Sequence, residues 1–303
     1  MTRSRGAAVV LAMLIAALAA AVAATVFADQ ERWNRIVFNR RDQVQAQALV
    51  MAGIQWARQI LQDDARRSAI DHLGEPWALS LPPIPLDNGE IRGSIVDAQG
   101  RLNINALGHQ EAAQDFERMR ITALFAQRGG PTVATDAIAD WIDADGNVRG
   151  GGAEDAFYAA QAVPGLAANA PLLRVAELSM VKGVTPQALA AVIPYLSALP
   201  DGTPTNVNTA PPEVLAAIVD NLTSDGLTAL LAARAQKPFQ SVADFRGRLP
   251  SGASLAADVA LSVSSDYFYV TVEARQGVTV ARGRALVHRV RGQAPAIAWE
   301  VVE

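Results

Sequence analysis

From residue 7 to residue 28 every position is uncharged and nearly all are apolar, an unbroken run of 22. Coiled as a helix that rises 1.5 Å per residue, such a run crosses a hydrocarbon core of about 30 Å. The apolar positions then thin out without losing their period. Trp33, Ile36, Val37, Val44, Ala48, Met51, Ile54, Ala57, Ile60 and Leu61 recur mostly at spacings of three, four and seven, with Arg32, Arg35, Arg40, Arg41, Asp42 and Arg58 between them. That spacing is an amphipathic helix, and the pattern predicts one helix running to about Arg67. Residues 74–89, with Pro76, Pro82, Pro83 and Pro85, then break it.

Beyond the break the period shortens to two. Residues 90–96, a turn at 97–100 and residues 101–105 read as strand, turn and strand, with Ile91, Ile95, Leu102 and Ile104 apolar. Near the other end, residues 267–274 and 278–290 flank a Gln276-Gly277 turn, and residues 297–302 supply a last strand. The middle, from about His109 to Val263, has helical periodicity instead: residues 116–126, 135–142, 188–199, 212–221 and 224–235. Strand signals bracketing a helical middle predict an α+β fold. A long N-terminal helix packs on a small antiparallel sheet, which a large all-α insertion domain interrupts.

Composition narrows the chemistry. The 303 residues carry 26 basic and 30 acidic side chains, a net charge of −4, so no overall positive field draws the chain to nucleic acid. Cysteine is absent, which removes disulfides, thiolate metal centres and cysteine nucleophiles. The only imidazoles, His72, His109 and His288, lie far apart and read as ordinary surface or packed histidines. No nucleophile elbow, phosphate-binding loop or dinucleotide fingerprint is present, so the chain is not expected to be an enzyme. Residues 175–184 and 239–245 look like the short helices of helix-hairpin-helix modules that grip DNA. Residues 171–260, however, hold six basic against seven acidic side chains, too few cations to neutralise a phosphate backbone.

Arg3 and Arg5 precede the apolar run with no acid beside them, the basic start of an export signal, which leaves the N-terminus in the cytoplasm and places the chain beyond residue 28 outside. Two processing schemes fit. Val26-Phe27-Ala28 is an acceptable signal-peptidase site, which would release a soluble periplasmic binding protein for sugar or nucleic acid. The helical period that continues past Ala28 favours a retained anchor instead.

The densest chemistry lies in residues 140–155, DWIDADGNVRGGGAED. Read from Asp143, the segment offers Asp143, Asp145 and Asn147 at alternate positions and Glu154 at the twelfth, the oxygen spacing of an EF-hand loop. The sixth position is Val148 where that loop needs glycine, so this is not an EF-hand. Hard oxygens without imidazole or thiolate select calcium over zinc. The alternative is a solvated turn in which Asp140 or Asp143 caps a helix and the glycines supply positive φ. A glycosidase-type carboxylate pair lacks an aromatic sugar platform.

A short basic leader ending in Gly6, an apolar helix starting at Ala7 and an amphipathic continuation together resemble the signal of type IV pilin-like proteins, which a prepilin peptidase cuts after the glycine. Counted from Ala7, the fifth residue is Leu11 where most such proteins carry Glu, a departure that matches one branch. With residues 97–105 (DAQGRLNIN), the acidic loop and residues 206–211 (NVNTAP), the chain resembles the minor pseudopilin K family of type II secretion systems. The resemblance implies a prepilin leader at 1–6, a transmembrane helix at 7–28, a pilin-like domain in two parts at 29–108 and 264–303, and an insertion domain at 109–263. It implies cleavage between Gly6 and Ala7, methylation of the processed chain, and single-pass anchoring in the inner membrane with the C-terminal domain in the periplasm. It also implies one or two Ca²⁺ ions held by oxygens from among Asp140, Asp143, Asp145, Asn147, Glu154 and Asp155. The implied partners are minor pseudopilins I and J, other pseudopilins and inner-membrane secretion components. The implied task is to cap and help initiate the pseudopilus, whose growth exports folded proteins across the outer membrane. A competence-type DNA-binding module and a general type IV pilus minor pilin are the rival readings.

Overall fold

The structure, a computed structural model, describes residues 3–80, 82–108, 113–256 and 259–303. His109 lies outside the described residues. Helix α1 (Arg3–Arg67) is continuous over 65 residues, about 100 Å at 1.5 Å per residue. From Ala7 onward the side chains of its first half are exposed: Leu11, Leu14, Leu18 and Phe27 all face outward, as a single-pass membrane anchor requires. From Asp42 onward one stripe goes inward. Ala46, Val50, Ile54 and Leu61 are fully buried, at the three-to-four spacing that keeps them on one face.

That stripe lies on a five-stranded antiparallel sheet. After a short 3-10 turn (Pro76–Ala78), strands β1 (Ile84–Leu86) and β2 (Gly89–Asp97) form one hairpin. The chain then leaves the sheet and returns only near its end, so that the final strand order is β1, β2, β7 (Tyr267–Gln276), β8 (Thr279–His288), β9 (Ala296–Val302). Strand β7 alternates cleanly. Phe268, Val270, Val272 and Ala274 meet α1, while Tyr267, Tyr269, Thr271 and Glu273 face the other way. On that second face Glu273 joins Arg92 (2.6 Å) and Arg282 (2.7 Å) across three strands.

Glycine sets how near α1 can lie. A Cβ on Gly283 would overlap Val50 Cγ1, and one on Gly53 would come within 2.8 Å of Val272 Cγ1. The Gly283→Ala variant is therefore expected to lose about 1–3 kcal/mol by overpacking. Urea unfolding reads this, and a loss below about 0.5 kcal/mol would place the helix farther from the sheet.

Between β2 and β7 runs the insertion: β3 (Leu102–Asn103), a 3-10 turn (Ile104–Gly108), α2 (Ala113–Gln127), α3 (Ala134–Ile142), α4 (Asp155–Ala159), a 3-10 turn (Val175–Met180) and α5 (Pro186–Val192). It continues through β4 (Leu196–Ser197), β5 (Thr205–Asn206), α6 (Pro212–Ile218), α7 (Ser224–Gln236), α8 (Val242–Gly247) and β6 (Leu261–Ser262). Its own apolar core includes Phe125, Ile138, Trp141, Leu215 and the edge-on pair Phe239 and Phe245. Two very short parallel pairs, β3 with β4 and β5 with β6, stitch it together.

Two expectations change. Residues 101–105 do not return along β2 as a hairpin; Leu102, Ile104 and Leu107 enter the helical core, and Asn103 Oδ1 accepts from Leu199 N (3.0 Å). Asn105 fixes the departure by bonding Leu172 through both its amide oxygen and nitrogen. Likewise the helix expected over 188–199 stops at Val192, because the ring of Pro194 obstructs further α-helix; a 3-10 turn (Ile193–Tyr195) and β4 come next.

A buried polar joint fastens the end of α1 to both the sheet and the insertion. Arg289, 2 % exposed, donates to Asp64 (2.7 Å), Asp71 (2.5 Å) and the Ser265 carbonyl (2.7 Å), with Phe268 beneath it. Next to it the Asp97 carboxylate accepts from Gln99 N, Asn206 Nδ2, Thr209 Oγ1 and Ser265 Oγ. Burial nonetheless pushes Asp97 up to about 6, against the lowering effect of those donors. His288 stacks on Tyr267 at 4.4 Å, and His72 Nδ1 accepts from Gly74 N.

Candidate metal centre

The acidic loop begins on α3. Its apolar side chains, Ala137, Ile138, Trp141 and Ile142, go into the insertion core, and the same turn of helix carries Asp140 to a fully buried position. Asp143, also buried, caps the helix end, its amide donating to Ala139 O. Asp145 Oδ1 then accepts from Asn147 N (2.8 Å), the local bond that lets aspartate turn a chain. The glycines bring the returning strand close: a Cβ on Gly152 would overlap the Asp140 carboxylate. Two residues later the chain delivers Glu154, 6 % exposed, at the start of α4.

This folding brings together three of the six residues singled out in the sequence. Carboxylate oxygens of Asp143, Asp145 and Glu154 all lie within 4.8 Å of one another. Asp140 stands beside them, held by Arg149 through its backbone N (3.1 Å) and its guanidinium (2.7 Å). The same guanidinium nitrogen also meets Asp143 Oδ2. Asn147 is exposed, and its backbone N–H donates to Asp145 Oδ1. Asp155 is also exposed, its carboxylate accepting from Ala167 N (2.9 Å) and so bracing the loop after α4. Gly6 and Ala7 both lie within α1.

The electrostatics distinguish this cluster from an ordinary acidic turn. Both oxygens of Glu154 and Oδ1 of Asp143 are buried with no hydrogen-bond partner among the described residues. Burial first, and then repulsion from Asp140, Asp143, Asp145 and Asp155, pushes Glu154 up to about 7. Burial also pushes Asp143 up, opposed by Arg149. Unpaired buried carboxylate oxygens are costly unless protonated or bound to a cation. All the donors in the cluster are hard oxygens, the set that takes Ca²⁺, so the residues present fit that ion.

A second acidic group, Asp64, Asp71 and Glu75, shows the contrast. Its oxygens are equally close, but donors fill the site: Arg289, Ser265 N, His72 N (3.0 Å) and Trp77 Nε1 (2.8 Å). Proximity of carboxylates alone does not make a cation site.

Sequence reasoning missed Arg149 and Lys182. Arg149 sits inside the acidic loop itself, and its charge among acids was the available signal. Lys182 lies far along the chain and reaches back to donate to Gly152 O (2.7 Å), over the ring of Phe157.

Known proteins share this sequence pattern and this fold. The family model described as type II secretion system (T2SS), protein K matches this chain over residues 100–201 and again over 205–264. The type II secretion system protein K of Pseudomonas aeruginosa is 33% identical over 288 residues, covering 90% of this chain and 85% of that protein. The protein of the same name from Klebsiella pneumoniae is 31% identical, with 95% and 93% covered. Among solved structures, a chain of the GspK-GspI-GspJ complex from enterotoxigenic Escherichia coli superposes with a TM-score of 0.75. That chain is 25% identical, and the match covers 88% of this chain and 99% of that one.

Proposed function

The chain belongs to the type II secretion system protein K family, pseudopilin components of a protein-transport machine, and we propose that it caps the tip of the pseudopilus and helps to start its assembly. The observation that carries this reading is where the insertion sits. The joint of Asp64, Asp71, Arg289 and Asp97 fixes it at the end of α1 farthest from the apolar span. A bulky domain there leaves no room for a further subunit to stack above, whereas the exposed apolar helix below is free to pack among those of other subunits. The role is one of assembly, without enzymatic chemistry.

In this reading the peptidase removes residues 1–6, the 7–28 segment holds the chain in the inner membrane, and the sheet and the insertion between β2 and β7 face the periplasm. By analogy with the solved complex, minor pseudopilins I and J are its direct partners. Asp143, Asp145 and Glu154, with Asp140 behind them and Asn147 and Asp155 on the loop's outer side, hold calcium. The ion supplies positive charge to the oxygens that lack donors and so fixes the loop between α3 and α4.

Gold labelling of the insertion on isolated pseudopili tests the cap. Label at a single fibre end is expected, and label spaced along the shaft would overturn it. Amino-terminal sequencing of the mature protein tests the anchor: it is expected to begin at Ala7, and a start at Asp29 would leave a soluble protein without the span.

A further inference from the structure

The sheet face turned away from α1 forms, with the insertion, a cleft of about 270 Å³ lined by none of the acidic-loop residues. Its charged side chains are of one sign. Arg101, Arg174 and Arg284 all line it, and no acidic residue does. Arg284 projects from the middle of β8 and reaches Glu303 (3.3 Å) at the exposed rim. Arg174 stands before the Val175–Met180 turn, with Glu177 at 3.8 Å, also well exposed. Such surface pairs exchange readily with another carboxylate.

Arg101 lies deeper. Its guanidinium rests over the ring of Tyr269 at 5.2 Å and makes no hydrogen bond or ion pair among the described residues. Burial pulls it below the ordinary guanidinium range, although a guanidinium stays charged at neutral pH. Asp97, its acidic neighbour, already has four donors on its carboxylate. Beside Tyr269, at 6.2 Å, stands Trp299 of β9, whose indole N–H is buried without an acceptor among the described residues. The buried indole N–H asks for an acceptor, and the half-buried cation without an ion-pair partner asks for an anion.

We propose that this cleft binds an acidic, extended protein segment, with its carboxylates on Arg101, Arg174 and Arg284 and its alternate apolar side chains on the aliphatic lining. Charge complementarity selects the partner. The chain as a whole is net negative, and this is a place where cations converge without acids in the lining. The aliphatic residues Val175, Ile193 and Val301 in the same walls favour a peptide over a bare anion. The proposal does not rest on tip capping, since binding is measured on the chain by itself.

The test uses the full chain in detergent and a short, terminally capped, fluorescein-labelled peptide of alternating glutamate and valine, with anisotropy as the readout. The glutamate peptide is expected to bind, more weakly as salt rises. The same peptide with glutamine for glutamate is expected not to bind. Arg101→Gln should weaken the glutamate peptide about tenfold or more, as loss of a buried charge-assisted contact does. Arg284→Gln, at the exposed rim, should weaken it severalfold, and carries the test if Arg101→Gln fails to fold. Equal binding of the two peptides, or unchanged affinity in a folded Arg101→Gln or in Arg284→Gln, would overturn the proposal. So would saturable binding of inorganic phosphate without binding of the peptide, which would make the cleft a small-anion site.

Discussion

Stripping calcium with a chelator is expected to lower the melting temperature of the full-length protein by about 5–15 °C. A ligand at 100 to 1,000 times its dissociation constant stabilises by about 2.7–4.1 kcal/mol, and each kcal/mol moves a domain of this size by roughly 2–4 °C. The physical ground is the set of donorless oxygens on Asp143 and Glu154. Without the ion, the folded loop must gather negative charge or take up a proton. With Glu154 pushed up to about 7, folding takes up that proton, so its stabilising contribution is full below the unfolded value near 4.5 and is lost as pH rises through about 7. The chelated protein should therefore melt higher at pH 5.5 than at pH 7.5. In calcium the order should reverse, because the ion needs the carboxylates ionised. Glu154→Gln separates the roles: it should raise stability slightly in chelator, by relieving repulsion, and abolish the calcium-dependent increment. Equal melting of the wild type in calcium and in chelator, or equal destabilisation by Glu154→Gln in both, would remove the ion from the account.

What the chain revealed in advance depended on how local each signal was. Helix α1 was legible because an unbroken apolar run over 7–28 leads into a three-to-four period that continues to Leu61, and the β7–β8 hairpin because period two flanks Gln276-Gly277, where Gly277 takes φ 57°. The acidic loop was legible as a cluster because its members lie within sixteen residues. The mistaken hairpin at 101–105 came from Leu102 and Ile104. Two apolar residues spaced by two cannot tell a strand from a segment whose side chains enter a second core. Nothing in the spacing marked Arg289, because its partners Asp64 and Asp71 lie 225 and 218 residues away. Arg101 was equally silent, since its cleft exists only once β7, β9 and the insertion are assembled.

Replacing Arg289 is expected to cost about 3–5 kcal/mol, the range for removing one member of a buried ion pair. Arg289→Met keeps much of the volume and the packing on Phe268 but removes the cation. It leaves the half-buried Asp64 and the buried Asp71 beside one another and the Ser265 carbonyl without its guanidinium donor. Arg289→Lys should rescue little, because a single ammonium lacks the planar fork that reaches both carboxylates and the carbonyl at once. Asp64 already stands at about 6, raised by burial and by Glu75 and lowered by Arg289. Loss of the guanidinium should raise it further. The variant should therefore regain part of its stability on acidification, since protonated Asp64 binds a proton that the unfolded chain has released above pH 4 or so. Urea unfolding at pH 7.5 and pH 5.5 reads both effects. A variant within about 1 kcal/mol of wild type at pH 7.5 would mean that the apolar contacts alone seat the insertion on the end of α1. A large loss that acid partly restores would assign that seating to the buried charges, and with it the placement on which the proposed tip position depends.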